Sequence, residues 1–167
     1  MRRWWDDGVR TPYPRAELDG YREALRGEDP TYHYIASLDD RPIGLFQHYR
    51  IADHAEYAHA LALEDDAVGV DLFIGESDLI GRGIGPTALR EFLRRVAMPF
   101  HRLAVCVIGP SVTNVAAIRA YEKAGFTKLR VARVPGQLEP EQLMRMTKME
   151  LDSPPPGAPK SDVDSVH

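Results

Sequence analysis

Residues able to do chemistry are concentrated in one short stretch of the chain. Asp71 begins the apolar run Asp71-Leu72-Phe73-Ile74, where a carboxylate is costly to bury unless it has a partner. Three glycines follow at positions 81, 83 and 85, directly before a segment with helical spacing. Glycines leave backbone N–H groups accessible, and a helix N-terminus carries the positive end of the helix dipole. The loop therefore predicts a site for an anionic ligand that carries a pyrophosphate.

The glycine spacing argues against two common nucleotide sites. A dinucleotide-binding loop needs G-x-G-x-x-G and an acidic residue near the end of the next strand, whereas this loop is G-x-G-x-G and the predicted strand 102–108 ends without an acid. A nucleoside-triphosphate loop needs Gly-Lys-Ser/Thr, and here Gly85 is followed by Pro86 and Thr87. By itself the loop is also compatible with an ordinary turn between a strand and a helix.

Bulk properties predict one ordinary domain with a small cationic partner. The chain has 167 residues, a formal net charge of -4 and no long run of like charges, so neither nucleic acid nor a membrane surface is an expected partner. The single cysteine, Cys106, lies in an apolar run and is predicted to be a buried hydrophobe. Neither a signal peptide nor an apolar segment of about 18 residues is present, which favours a cytoplasmic location.

Hydrophobic spacing predicts a mixed α and β fold. Alternation predicts a hairpin of strands 32–38 and 43–51, and four further strands at 68–75, 102–108, 126–134 and 143–151. Helical spacing predicts helices at 14–26, 87–96 and 114–124, and the alanine-rich segment 52–66 is compatible with a short helix. The composition of residues 152–167 predicts a disordered tail after a domain at 1–151.

Two features of these predictions concern polar residues. The helix at 87–96 is expected to end at Pro99 and to leave Arg90, Glu91, Arg94 and Arg95 in water. The histidines show no ligand spacing such as H-E-x-x-H, so no metal site is predicted.

The order of strand, glycine loop, helix and apolar strand, followed by A-I-R-A-Y-E-K-A-G-F at 117–126, resembles the GNAT superfamily of acetyl-CoA-dependent N-acetyltransferases. Within it, residues 69–85 and 117–126 resemble aminoglycoside 6'-N-acetyltransferases. The likeness covers residues 4–150 and is most specific over 68–126. It implies an α+β fold with a mixed, mostly antiparallel sheet and helices on both faces. The family's first strand and helix have no counterpart here, so either the start lies upstream or one edge strand is missing.

The resemblance also implies how acetyl-CoA is bound. The backbones of Leu72, Phe73 and Ile74 are expected to bind the pantetheine arm. The pyrophosphate is expected on the N–H groups of Arg82, Gly83, Ile84 and Gly85. Asn114 is expected to bond the pantetheine, and it is equally suited to be a helix N-cap. The family usually carries Arg or Gln where this chain has Ile80.

Two residues are implied as catalytic. Asp71 is expected to grip the substrate ammonium and take its proton, with a hydrogen-bonded core aspartate as the alternative. Tyr121, seven residues after Asn114 and on the same side of the helix, is expected to donate a proton to the coenzyme A thiolate. Without the family motif, an aromatic residue at this spacing is more typical of a helix packed on the core.

The acceptor implied by the resemblance is a polycation, so an acidic cleft is expected. The residues expected to bind the acceptor are Trp5, Asp71, Glu76, Asp66 and Glu139. Further candidate acids are Glu64, Asp65, Asp78 and Glu141. Gly109 stands where related aminoglycoside enzymes often carry an aspartate. The alternative functions are an acyltransferase acting on a siderophore hydroxylamine or another small amine, and a non-catalytic acetyl-CoA-binding protein. A monomer or a homodimer is expected.

Overall fold

The computed structural model describes residues 26–75, 79 and 82–157. The predicted helix at 14–26, the acceptor-site candidates Trp5 and Glu76, and the acid Asp78 lie outside these residues, apart from Arg26. Within them, no helix is long and apolar enough to cross a membrane.

The first strands of the described part of the chain form the hairpin that alternation predicts. Strand β1 spans Tyr32–Leu38 and β2 spans Arg41–Arg50, with Leu38 opposite Arg41. The two residues between them, Asp39 and Asp40, both have positive φ, which is the backbone of a type I′ turn. Because this turn matches the twist of paired strands, it holds the hairpin in register.

The remaining elements alternate between helices and strands. A 3-10 turn at Ile51–Asp53 leads to α1, Ala55–Leu61, and then to β3, Val68–Ile74. Helix α2, Ile84–Phe92, continues through a π-helical segment, Leu93–Ala97, into α3, Met98–His101. Strand β4, Val105–Ile108, precedes α4, Val115–Ala124, and the chain closes with β5, Thr127–Ala132, β6, Glu141–Thr147, and α5, Lys148–Asp152.

The six described strands form one sheet in the order β1-β2-β3-β4-β6-β5. Every neighbouring pair is antiparallel except β3 and β4, which are parallel. That parallel pair is joined only where Val68 meets Cys106 and Gly69 meets Val107, whereas β3 pairs with β2 as far as Ile74. In the described part of the chain, the edge of β3 beyond Gly69 is therefore left without a strand partner on the β4 side.

Helices cover both faces of the sheet. On one face, α2 and α4 pack on a core that includes Val68, Val70, Cys106 and Met144. On the other face, α1 packs on a smaller core around Val107, Leu143 and Ala132. Because side chains alternate along a strand, Asp71 projects to the face that carries α1. The predicted α+β fold, with its mixed sheet and two helical layers, is confirmed.

Two predictions about the helix after the glycine loop are wrong. The helix does not end at Pro99 but runs on to His101, since the π-helical segment breaks the regular bonding pattern and Pro99 falls in the first turn of α3, where a missing N–H costs little. Arg90 is not in water. Its side chain is 7% exposed and donates to the carbonyls of Ala124, Leu151 and Ser153.

The last predicted strand is also wrong in part. The strand stops at Thr147, and residues 148–152 form helix α5. Thr147 accepts a hydrogen bond from the Glu150 N–H, and the Glu150 carboxylate accepts one from the Thr147 N–H. This reciprocal capping box starts a helix even though the residues suit a strand. The tail predicted for 152–167 stays a prediction, since residues 158–167 lie outside the described part.

Candidate acyltransferase site

Asp71 lies in the middle of β3, directly opposite Gln47 of β2. Gln47 Nε2 donates to Asp71 Oδ2 at 3.0 Å. Burial raises the pKa of Asp71 above its usual value, while the hydrogen bonds from Gln47 and Tyr49 and the nearby His54 act in the opposite direction. The carboxylate is thus held in place and has a stronger affinity for a proton than a carboxylate in water.

A second carboxylate, Glu141, shares this face of the sheet. It is the first residue of β6, is only 9% exposed, and its Oε2 accepts a hydrogen bond of 3.0 Å from the Tyr57 hydroxyl. Burial raises the pKa of Glu141 to about 7, with a smaller contribution from the charge of Asp71. Near neutral pH the Glu141 carboxyl is therefore poised between its protonated and ionised forms.

Two tyrosines connect the two carboxylates. The Tyr49 hydroxyl interacts with both Asp71 and Tyr57, and Tyr57 in turn bonds Glu141. A phenol carries one proton, so Tyr49 can donate to only one neighbour at a time. Burial raises the pKa of both tyrosines, and the nearby carboxylates raise it further. Four residues from β2, α1, β3 and β6 thus form one polar network, here called the acidic network: Tyr49, Tyr57, Asp71 and Glu141.

Two glycines make room for the acidic network. A Cβ atom at Gly69 would lie 2.2 Å from the Tyr49 ring. A Cβ atom at Gly109 would lie 2.1 Å from Glu141 Oε2 and 3.3 Å from the Tyr57 hydroxyl. A glycine in or beside a strand often marks a close approach of another group. Gly69 and Gly109 were the sequence signals that could have pointed to Tyr49 and Tyr57, which the sequence predictions missed.

The glycine loop lies at the other end of β3. Gly83 adopts a positive φ of 79°, and a Cβ atom there would meet nothing within 4 Å. Helix α2 begins at the next residue, so the N–H groups of its first turn have no partner within the helix. These N–H groups can bind an anion, and in the described part of the chain β3 beyond Gly69 has no strand partner on the β4 side. An extended ligand with an anionic end suits this combination.

The two predicted residues of α4 are both placed near the core. Asn114 Oδ1 accepts a hydrogen bond of 3.0 Å from the Ala117 N–H, so Asn114 is the N-cap of α4. Tyr121 is 9% exposed and packs against Phe126. Burial, and to a lesser extent the charge of Asp71, raises the pKa of Tyr121 well above its usual value. The phenol therefore keeps its proton at any ordinary pH.

Two other predicted acceptor-site residues lie outside the acidic network. Asp66 is exposed and forms an ion pair of 2.5 Å with Arg50. Glu139 is exposed and accepts hydrogen bonds from Ser111 and Thr113, which lower the pKa of its carboxyl. Both carboxylates are occupied by neighbours of the same chain. Their roles toward an acceptor stay predictions.

The amino-acid sequence matches the model of one known protein family. A family model described as an acetyltransferase (GNAT) domain matches residues 1–134. The chain belongs to the GNAT acetyltransferase family. Two curated relatives of this GNAT protein, aminoglycoside N(6')-acetyltransferases type 1 from Klebsiella pneumoniae and Serratia marcescens, are each 27% identical to it over 134 residues. The match covers 79% of this chain and 65% of each relative, which is less than two thirds of their length.

Solved structures share the GNAT fold. Aminoglycoside acetyltransferase AAC(6')-Ib in complex with coenzyme A and kanamycin superposes with a TM-score of 0.71 at 22% identity, covering 89% of this chain and 83% of that one. Its complex with ribostamycin and coenzyme A gives 0.72 at 22% identity over 95% and 84%. Spermidine N-acetyltransferase from Vibrio cholerae, with coenzyme A and spermine, gives 0.62 at 15% identity over 90% and 83%.

Proposed function

We propose that this GNAT protein transfers the acetyl group of acetyl-CoA to a primary amine of an aminoglycoside, namely its 6'-amine. The observation that carries the proposal is the arrangement of β3. One face of this strand presents the Asp71 carboxylate for a cationic amine, and the glycine loop that follows the strand offers N–H groups to an anionic donor. The names of the curated relatives support the choice of acceptor.

The donor half of the proposed site is built from backbone groups. Acetyl-CoA supplies an acetyl group activated as a thioester. The backbones of Leu72, Phe73 and Ile74, on β3 beyond its pairing with β4, bind the pantetheine arm. The N–H groups of residues 82–85 hold the pyrophosphate, and Asn114 contributes a contact from the start of α4. The side chains matter little at these positions because the N–H and C=O groups make the bonds.

The chemistry needs two protons removed from the acceptor nitrogen and one supplied to the coenzyme A sulfur. Asp71 accepts a proton from the acceptor ammonium, so that the neutral nitrogen can form the new C–N bond. As the C–S bond breaks, Tyr121 donates its phenolic proton to the departing sulfur. The second nitrogen proton, which leaves as the amide forms, returns to the Tyr121 oxygen directly or through water and restores the phenol. Buried groups suit both roles, since burial strengthens the proton affinity of Asp71 and keeps Tyr121 protonated.

A thiol-release assay tests this proposal. Acetyl-CoA is offered with kanamycin or tobramycin, with a lysine-like amine and with a hydroxylamine acceptor, and the acetylated position is located by NMR. We expect turnover with an aminoglycoside and acetylation of its 6'-amine. Measurable acetyl-CoA binding without turnover of any aminoglycoside would refute the proposed acceptor. Turnover of the hydroxylamine alone would favour the siderophore-type alternative.

We further propose that the reaction confers aminoglycoside resistance in the cytoplasm and that the protein works as a monomer or a homodimer. Expression in a susceptible bacterium should raise the inhibitory concentration of kanamycin, and the Asp71→Asn variant should not. Light scattering on the purified chain measures the number of copies in the assembly.

A further inference from the structure

Glu141 has a position that the proposed reaction does not yet use. We infer that Glu141 binds a second ammonium group of the acceptor, and so makes the enzyme selective for amines that carry at least two cationic groups. This inference rests on the proposed function, because it assigns Asp71 to the reacting amine. Glu141 is then a specificity residue of the same acceptor site.

The Glu141 carboxylate lies beside Gly109, at the end of β4. Gly109 directly follows β4, and β4 pairs with β6, the strand that begins at Glu141. The carboxylate reaches across from β6 into the volume that a side chain at position 109 would fill, since a Cβ there would lie 2.1 Å from Glu141 Oε2. The sheet therefore carries a carboxylate above the end of β4, supplied by the neighbouring strand.

The Glu141 carboxylate has a fixed orientation. Tyr57 holds Oε2 through a hydrogen bond of 3.0 Å, and no donor among the described residues is bonded to Oε1. A glutamate that served only as the hydrogen-bond acceptor of Tyr57 would need just one of its two carboxylate oxygens. The fixed Oε2 sets the direction of the group, and Oε1 is left to accept from a ligand.

Asp71 and Glu141 place two carboxylates on one face of the sheet. The polar side chains that bond or interact with them are Gln47, Tyr49, Tyr57 and His54, and His54 lowers the pKa of Asp71 by its charge. In the described part of the chain no lysine or arginine forms an ion pair with either carboxylate. Two carboxylates in a half-buried site repel one another and favour binding of a cation. An acceptor with two ammonium groups pairs with both carboxylates. Its reacting nitrogen lies at Asp71, and its second ammonium group lies at Glu141.

The test compares an acceptor with several ammonium groups and an acceptor with one. Kanamycin is the polycation, and methyl 6-amino-6-deoxyglucoside carries the same kind of amine without a second charge. In Glu141→Gln we expect KM for kanamycin to rise roughly 10- to 100-fold, the range for a lost charge-assisted hydrogen bond. We expect kcat and the KM for acetyl-CoA to change less than about threefold, and kcat/KM for the single-amine sugar to stay within about threefold of the wild type.

A relocation variant separates ligand binding from structure. Gly109→Asp combined with Glu141→Ala moves the carboxylate from β6 to β4 while clearing the space that the new side chain needs. We expect this double variant to recover most of the preference for kanamycin over the single-amine sugar. Gly109→Asp alone should be damaged, because its side chain and Glu141 would compete for one volume. Glu122→Gln, an exposed glutamate paired with Lys128, is the control for loss of one charge.

The outcomes distinguish this inference from the proposed function. If the wild type binds acetyl-CoA but acetylates no aminoglycoside, the proposed function fails. If the wild type acetylates kanamycin and Glu141→Gln loses activity equally toward both acceptors, or toward neither, Glu141 is not a specificity residue. If circular dichroism shows that Glu141→Gln does not fold, the folded double variant with Gly109→Asp and Glu141→Ala is tested in its place. Loss of the kanamycin preference in that double variant would also overturn the inference.

Discussion

Asp71 is a carboxylate whose proton affinity is raised by burial and limited by two hydrogen bonds. If it takes the proton of the acceptor amine, Asp71→Asn should lower kcat by roughly two to three orders of magnitude, the range for loss of a general base. The KM for acetyl-CoA should change little, because the pyrophosphate is bound by the glycine loop. Steady-state kinetics with kanamycin measures both values.

The pH dependence of kcat also tests the role of Asp71. Only the ionised form of Asp71 accepts a proton, so kcat should fall as pH is lowered through the pKa of Asp71. Because burial raises that pKa, the fall should occur above pH 3.8, the usual value. An unchanged kcat in Asp71→Asn at every pH would leave Asp71 as a hydrogen-bonded core residue.

Tyr121 is buried and keeps its proton, as a proton donor to a thiolate must. Tyr121→Phe should lower kcat about 10- to 100-fold and leave the KM for acetyl-CoA within about twofold. The ring still packs against Phe126, so the variant should remain folded. Tyr34→Phe on β1 removes an exposed hydroxyl and is the matched control. An equal effect of the two substitutions would argue against a donor role for Tyr121.

At the scale of elements, Arg90 joins the ends of three helical segments. From α2 it donates to the carbonyl of Ala124 at the end of α4 and to the carbonyls of Leu151 and Ser153 around the end of α5. These are helix-terminal carbonyls that would otherwise be buried without partners. Arg90 therefore ties α2, α4 and α5 into one layer.

Arg90→Leu should consequently destabilise the protein by about 2–4 kcal/mol, because buried carbonyls lose a charged donor. Urea unfolding followed by circular dichroism measures the free energy of unfolding. Arg95→Leu, which removes an exposed arginine paired with Glu91, should cost less than about 1 kcal/mol. Similar losses in the two variants would mean that the Arg90 bonds contribute little.

At the scale of the whole molecule, the His48–His101 pair makes stability depend on pH. His48 is fully buried on β2 among aromatic side chains, and its Nδ1 lies 2.8 Å from His101 Nε2. Burial, and then the charge of His101, lowers the pKa of His48 from 6.5 to about 4. Between these values the unfolded chain binds the proton more strongly than the folded protein does. Stability is therefore fully present above pH 6.5 and is lost as pH falls toward 4.

His48→Phe should weaken this dependence, because the phenyl ring fits an aromatic environment and binds no proton. We expect the wild type to lose on the order of 1–3 kcal/mol between pH 7 and pH 4.5 through this group, and the variant to lose correspondingly less. Urea unfolding at the two pH values measures the difference. A variant as sensitive to acid as the wild type would assign the loss to other groups.

Elements whose signals are local could be predicted from the amino-acid sequence alone. Alternation and the Asp39-Asp40 turn predicted the hairpin. The glycines before apolar helical residues predicted a helix from residue 87, about one turn after the observed start of α2 at Ile84. Asn114 and Gly125 predicted both ends of α4, because caps act within one turn of the chain. The family motif at 117–126 identified the superfamily. Asp71 could be singled out because a carboxylate in an apolar strand needs a partner.

The partners of Asp71 could not be predicted and are known from the fold. Tyr49, Tyr57 and Glu141 come from three elements that are distant in sequence, and nothing in their local spacing indicates that they meet Asp71 on one face. Arg90 has the spacing of an exposed residue, yet it is buried because two other helices end beside it. The roles of Gly69 and Gly109 likewise depend on groups from other strands. Long-range packing decides these contacts, since it brings together side chains that have no local reason to meet.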